Sequence, residues 1–349
     1  MRSIETKRRI QIAMAAQNDL TKVAVIGTGG TISSVGRDSL DIATYSETGK
    51  KYEVDELLAQ FPETNSVADI MPVRFRAVGS TDIGPAEWLE LNEMVHRLAD
   101  ENPDLAGIVI THGTATLEET AYFLNLTVKV DIPVVIVGAQ RPASSLSTDA
   151  GLNLVNALRL AGSAEGRGLG VLVLLNDEIH AARDVTKTST MRLQTFRSPD
   201  FGALGHADAD RIAIYRRPVR RHAPDTEFDV RGMAELPRVD ISISYGGSDG
   251  AAIAAFADAG AQGLVQAGLL PGFNTPAEHK ALETAIGRGL VMVQSTRGLS
   301  GRLVELKSRR PAGCVLADNL RPQKARILLM LALTKTRGSA AIQQMFDTY

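Results

Sequence analysis

The sequence predicts an α/β protein, with a large N-terminal domain on a mainly parallel sheet and a smaller C-terminal α/β domain. Three observations predict it. Short β-rich runs alternate with helix-like stretches, as in α/β folds. Several of those runs are apolar on consecutive residues, the pattern of strands covered by helices on both faces. The alternation breaks over residues 215–237, "YRRPVRRHAPDTEFDVRGMAELP", a charged, proline-containing stretch without periodicity, and then resumes. These features divide the chain into an N-terminal extension (1–20), a first domain (21–214), a linker (215–237) and a second domain (238–349).

The strand candidates follow in order. They are "KVAVIG" from Lys22, "VRFRAVG" from Val73, "LAGIVITHG" from Leu105, "IPVVIVGA" from Ile132 and "LGVLVLLND" from Leu169. Helical patterns lie between them, among them "GPAEWLELNEMVHRLAD" from Gly84 and "GLNLVNALRLAG" from Gly151. In the second domain "VDISISY", "GLVQAGLL" and "LVMVQS" read as strands. "AAIAAFADAG", "PAEHKALETAIGRG" and "QKARILLMLALTKT" read as helices.

Composition removes several function classes. The 349 residues are 44% hydrophobic and 22% charged, enough for a sizeable core. The formal net charge of -2 points to neither nucleic acid nor an acidic surface as partner. The single cysteine, Cys314, excludes an intrachain disulfide and a cysteine metal cluster, and reads as a small apolar residue. The six histidines show no HxxxH or HxH spacing, so no metal site is expected. No segment is long and apolar enough for a membrane-spanning helix. The first twenty residues are basic, and their apolar part, "IQIAMAA", is short and interrupted by Gln11. They read as an extension of a cytoplasmic protein, with a degraded export signal as the alternative.

Two loops carry the chemistry. In "VAVIGTGGTISS" a strand runs into glycines. A dinucleotide fingerprint needs G-x-G-x-x-G. Gly27 and Gly29 fit it, but Ile32 holds the third glycine position. What remains is Thr31, a hydroxyl at a strand's carboxyl end, where open α/β sheets bind ligands. In "THGTATLEETAYFL", Thr111, Thr114 and Thr116 cluster after another strand. Thr116 and Glu119 have capping-box spacing, and Leu117, Ala121, Leu124 and Val128 form an apolar helix face. Thr114 thus precedes a helix N-terminus, where the dipole favours anions. Taken alone, that cluster reads as a structural cap.

Together, "GTGGTIS" and "THGTATLEETAYFL" resemble the two signature motifs of the bacterial-type L-asparaginase and glutaminase family. The resemblance extends through "VGSTDI" at Val78, "DIPVVIVGAQRPASSLSTDAGLNLVNA", "NDEIHAARDVTKTSTMRLQTFRSPDFGALG", "RHAPDTEFDV", "RPQKARILLMLAL" and "IQQMFDTY". It implies hydrolysis of an amide through a covalent acyl-enzyme, with Thr31 as nucleophile. Tyr45, on a loop of about Ser33 to Lys51 that would act as a lid, matches the tyrosine that activates it. Thr114 and Lys187 match a second threonine and its lysine, and a lysine among polar groups can act as a base. Gly30, Gly79, Ser80, Thr81, Asp82, Gly113 and Ala115 would surround the substrate. The resemblance also implies a homotetramer of close dimers, with each site completed by a neighbour's small domain, and no metal or organic cofactor.

Three positions depart from the family pattern. Ala115 stands where the family has an aspartate that contacts the substrate's α-ammonium. Thr81 stands where many members have glutamine. "SYGGSDG", with Gly246 and Gly247, replaces a stretch that carries an asparagine. All three concern recognition of the amino-acid head group. Three readings are open: a hydrolase of a substituted or deaminated amide, an L-asparaginase of standard or reduced activity, and a non-catalytic amide- or acid-binding protein.

Overall fold

The computed structural model of the chain describes residues 20–305 and 310–349. Residues 1–19 of the expected N-terminal extension lie outside the described residues.

The first domain carries β1 (Lys22–Gly29), β2 (Asp69–Val78), β3 (Leu105–Thr111), β4 (Val134–Val137), β5 (Val171–Leu175) and β6 (Glu178–Ala181). β7 (Thr186–Lys187) and β8 (Phe196–Arg197) form a separate small antiparallel ribbon, and β9 (Gly205–Ala207) and β10 (Ile212–Ile214) follow. Its helices are α1 (Val54–Gln60), α2 (Pro85–Glu101), α3 (Leu117–Thr127) and α4 (Ala150–Ala161). The main sheet runs β10-β9-β6-β5-β4-β3-β1-β2. β2, β1, β3, β4 and β5 are parallel, and β6, β9 and β10 extend the edge antiparallel.

The consecutive apolar residues serve opposite faces. Ala24, Ile26, Ile108, Ile110 and Ile136 pack with Trp88, Leu91 and Phe123 of α2 and α3. Val23, Val25, Val109, Val135 and Val137 pack with Val54 and Leu57 of α1 and Leu154 and Leu158 of α4. Burying each such aliphatic side chain contributes roughly 1.5–3 kcal/mol. A strand apolar on one face alone could not hold both helix layers.

The second domain has β11 (Val239–Ile243), α5 (Ala251–Asp258), β12 (Gly263–Gly268), α6 (Pro276–Gly287), β13 (Val291–Thr296), β14 (Val315–Leu316), α7 (Pro322–Leu333) and α8 (Ser339–Thr348). Its sheet, β11-β12-β13-β14, is parallel throughout. Leu328, Leu331 and other residues of α7 belong to the same apolar cluster as α3, so the two domains share a core.

β1 pairs with β2 on one side and β3 on the other. The chain therefore reverses its direction of travel across the sheet beside β1. Such a switch point opens a crevice outside the carboxyl ends of the strands. The loops after β1 and β3 both end there.

Candidate active site

The site starts with backbone. Gly29 and Gly30 have φ of 91° and 83°, a region that side chains rarely tolerate. Gly30 N donates to Val78 O at 2.8 Å. A Cβ on Gly30 would lie 2.2 Å from Gly113 Cα, and one on Gly113 would lie 2.7 Å from Ser80 Cβ. The loops after β1, β2 and β3 therefore interlock at a depth that only glycine permits. This interlock brings Thr31, the Gly79–Asp82 segment and Thr114 to one place.

Thr31 opens a short 3-10 turn, Thr31–Ser33. Its Oγ1 is 2.8 Å from the Tyr45 hydroxyl, and either oxygen can donate. Tyr45 begins another such turn, Tyr45–Thr48, on the loop that returns at the Ser34–Lys51 bridge. That loop is held by local polar contacts. Asp41 accepts from Arg37 N, Thr44 N and Thr44 Oγ1, Arg37 pairs with Glu47, and Thr48 Oγ1 donates to Val35 O. None of residues 35–51 is buried.

Thr114 is buried, and Lys187 Nζ donates to its Oγ1 at 2.7 Å. Lys187 stands on β7, which is anchored differently from the 35–51 loop. The buried Glu118 accepts from Lys187 N at 3.2 Å and Thr186 Oγ1 at 3.1 Å through one oxygen. Its other oxygen accepts from Gln323 Nε2 at 3.2 Å. Burial pulls the Lys187 pKa below that of an ordinary lysine, and the Glu118 charge opposes the shift. A neutral amine is thereby brought closer to reach.

His112, between the strand and Thr114, is fully buried. Its Nδ1 donates to Gly113 O at 2.8 Å, so Nε2 is the acceptor for Thr120 Oγ1 at 3.0 Å. Thr120 Oγ1 accepts in turn from Trp88 Nε1 at 2.9 Å. Burial drives the His112 pKa down to about 4, so the ring is neutral.

One expectation fails. The capping box of Thr116 and Glu119 does not form at the side-chain level. Thr116 Oγ1 donates instead to Ser80 O at 2.7 Å, and the Glu119 carboxylate lies 3.9 Å from Arg326. A tertiary acceptor has displaced the local one. The result ties the loop after β2 to the loop after β3, reinforced by Ala115 N donating to Ser80 Oγ at 3.3 Å.

Ala115, Thr81 and Asp82 are solvent-exposed, and Ser80 is half-buried beside them. The Tyr245–Gly250 stretch follows β11 in the second domain and is not among the hydrogen-bond partners of Thr31, Tyr45, Thr114 or Lys187. Its Ser248 Oγ donates to the buried Glu278. His112, Glu118 and Gln323 were not anticipated from sequence. Glu118 had one signal, its place beside Glu119 in the first turn of a helix.

A cavity of about 330 Å³ lies elsewhere, against the 216–222 segment. It holds none of the residues above. Several of its arginines are already engaged: Arg183 with Asp184 and Asn319, Arg220 with Asp318, and Arg216 with Ala203 O. Among the described residues, no group of three or more His, Cys, Asp or Glu side chains could hold a metal ion, and no helix is long and apolar enough to cross a membrane.

The arrangement is a pair of hydroxyl groups, each hydrogen-bonded to a group able to carry its proton. That pattern suits nucleophilic attack and its reversal by water.

Comparison with known proteins covers most of the chain. Residues 22–220 match the model for the asparaginase N-terminal domain, and residues 238–346 match that for the glutaminase/asparaginase C-terminal domain. The chain is 40% identical to a glutaminase-asparaginase of Pseudomonas fluorescens biotype A, over 95% of this chain and 91% of the relative. It is 40% identical to a probable periplasmic L-asparaginase of Haemophilus influenzae, over 97% and 96% respectively. The crystal structure of a probable cytoplasmic L-asparaginase from Campylobacter jejuni superposes with a TM-score of 0.89 at 38% identity, covering 94% of this chain and all of that one. Those names differ in substrate and in compartment, so kinship alone fixes neither. With both domain models matched in order and the fold shared, the chain belongs to the asparaginase family of amidohydrolases.

Proposed function

We propose that this chain hydrolyses a side-chain amide through an acyl ester on Thr31. The Thr31 Oγ1 attacks the amide carbonyl, and its proton passes to the Tyr45 oxygen as the Tyr45 hydroxyl proton passes on to the leaving nitrogen. The C–N bond breaks as the leaving nitrogen gains a proton, and ammonia or an amine departs. Water then attacks the ester carbonyl, its proton is taken up at the Thr114–Lys187 pair, the ester C–O bond breaks, a proton returns to Thr31 Oγ1, and the acid leaves. The observation that carries this reading is the doubled arrangement: Thr31 with Tyr45 at 2.8 Å and Thr114 with Lys187 at 2.7 Å, on interlocked loops at one switch point.

The substrate reading turns on Ala115. A methyl group cannot accept a hydrogen bond from an ammonium. Free L-asparagine would place its α-ammonium beside Ala115 without a carboxylate from that position, losing one charge-assisted hydrogen bond. Thr81 and the Gly246–Gly247 pair remove polar reach from the same end. We therefore favour an amide whose α-amino group is substituted or absent. The competing reading, an L-asparaginase of standard or reduced rate, is favoured by the 40% identity to relatives named for that activity.

Ammonia release separates the two. The panel is L-asparagine, L-glutamine, their D-forms, N-acylated forms and deaminated analogues. Highest kcat/KM on an N-acylated or deaminated member supports the specialised reading, and highest on L-asparagine supports the other. Mass spectrometry of acid-quenched enzyme should find the acyl group on the peptide holding Thr31. No turnover on any member would favour a binding protein.

The same reading includes assembly. Ile243, Tyr245, Leu270 and Leu299 are exposed apolar residues at or after the carboxyl ends of β11, β12 and β13. We propose that this edge faces another subunit in a homotetramer and closes its site. An active monomer in analytical sedimentation would end that proposal.

A further inference from the structure

Lys324 lies in the first turn of α7, in the second domain, and is 1% exposed. Its Nζ donates to carbonyls of the first domain: Ala182 at 2.7 Å, Arg183 at 2.8 Å and Val185 at 2.5 Å. An ammonium has three donors, and all are used. The Tyr122 ring packs 5.8 Å from the same nitrogen.

Those carbonyls belong to the turn that runs from β6 into β7, the strand that presents Lys187. The preceding residue, Gln323, reaches the same strand by another route. It donates to Glu118, whose second oxygen accepts from Thr186 Oγ1 and Lys187 N. Two consecutive residues of α7 therefore grip both the approach to β7 and β7 itself. A buried cation is an expensive way to fill space among Ala325, Ile327 and Leu328, and an apolar side chain would be cheaper. What an apolar side chain could not do is tie down three backbone carbonyls at once.

We propose that Lys324 is a positioning residue, which fixes the 182–185 turn so that β7 delivers Lys187 Nζ to Thr114 Oγ1. The proton-handling pair of the first domain then depends on the docking of the second. The proposal rests on the role given above to Lys187. Burial lowers the Lys324 pKa to about 8, with Glu118 and Asp184 favouring the ammonium and Arg183 and Arg321 opposing it.

The test compares Lys324→Met, Lys324→Arg and Gln323→Leu in the full chain with the unmodified protein. Steady-state kinetics are measured alongside the titration of Lys187 by side-chain NMR, its signal assigned with Lys187→Met. Lys324→Met should lower kcat roughly ten- to hundredfold, the scale of an ångström's misplacement, with KM within about twofold. Lys187 should titrate closer to an ordinary lysine as its strand opens to water. Lys324→Arg should recover part of both, and Gln323→Leu should move both the same way by less. If Lys324→Met does not fold, Gln323→Leu carries the same two readouts. A folded variant with an unmoved Lys187 titration overturns the proposal, even if its Tm falls. If Lys187→Met keeps full turnover while Lys324→Met still moves that titration, the catalytic role of Lys187 fails and the clamp stands.

Discussion

Thr31 and Thr114 look alike in sequence, each a threonine after a strand and a glycine, yet their partners are held in opposite ways. Tyr45 reaches Thr31 from a loop in which no residue between 35 and 51 is buried. Lys187 reaches Thr114 from a strand braced by Glu118, with Gln323 and Lys324 behind it from the other domain. Segments with few buried apolar contacts open at low free energy, and braced ones do not. The difference suits two tasks. With Thr31 as the proposed nucleophile, a substrate would enter beside it, and its tyrosine partner stands on the unburied loop. The lysine needs a stable, partly desolvated setting to keep its lowered pKa, so it sits on the frame.

The largest expected effect tests which threonine bonds to the substrate. Thr31→Ala should lose more than about 10⁴-fold in kcat with any hydrolysed amide, because the residual rate rests on binding and electrostatics alone. Thr114→Ala should cost less, on the order of 10²- to 10⁴-fold, as expected for a proton-transfer group. The reverse order would exchange the two roles.

The next effect tests the contrast between lid and frame. Tyr45→Phe and Lys187→Met should each cost roughly 10²- to 10⁴-fold in kcat. Hydrogen exchange should then separate them. Residues 35–51 should exchange fast in both variants and in the unmodified protein, and residues 182–187 should stay protected. Fast exchange over 182–187 in the unmodified protein would remove the contrast.

A smaller effect comes from His112 beneath the second loop. Its folded pKa is about 4, against about 6.5 in an unfolded chain. The unfolded chain therefore takes up a proton below about pH 6.5 that the folded one refuses until about pH 4. Stability should fall across that window as pH drops, by up to about 3 kcal/mol from this one residue. Urea melts at pH 7 and pH 4.5 measure it. His112→Gln should flatten the dependence, and an equally steep loss in that variant would assign it to other groups.

How far the site could be read in sequence follows the same division. Thr31 and Thr114 were legible because strand, glycine and hydroxyl are local features. So were the strands of the parallel sheet, since their consecutive apolar residues are a direct consequence of two covered faces. Tyr45 and Lys187 came only through family resemblance, because nothing local says which loop folds onto which threonine. Lys187 lies 73 residues from its partner. Glu118 was invisible because an acid in the first turn of a helix reads as ordinary dipole complementarity. Thr116 misled for the converse reason: its spacing offered a local cap, and the carbonyl of Ser80 outcompeted it. The antiparallel edge of β6, β9 and β10 and the separate β7–β8 ribbon escaped notice because their strands span only two to four residues.

The smallest expected effect bears most on what the protein is for. Ala115 is exposed, next to Ser80 and one residue before the cap of α3. An aspartate there would have room, and it would face the positive end of the helix, which stabilises an anion by roughly 0.3–1 kcal/mol. Ala115→Asp should therefore fold at least as well as the unmodified chain. If the missing carboxylate sets specificity, the variant recovers one charge-assisted hydrogen bond to an α-ammonium. Its kcat/KM for L-asparagine should then rise about tenfold or more. For an N-acylated or deaminated amide the same carboxylate has no partner, and kcat/KM should stay level or fall. Both substrates must be run on both proteins, because only the change in their ratio isolates recognition of the head group. A ratio that does not move would place specificity elsewhere, with Thr81 and the Gly246–Gly247 loop of a neighbouring subunit as the positions to vary next. A large rise on L-asparagine alone would show that the frame around Thr114 and Lys187 was complete, and that one methyl group had redirected it.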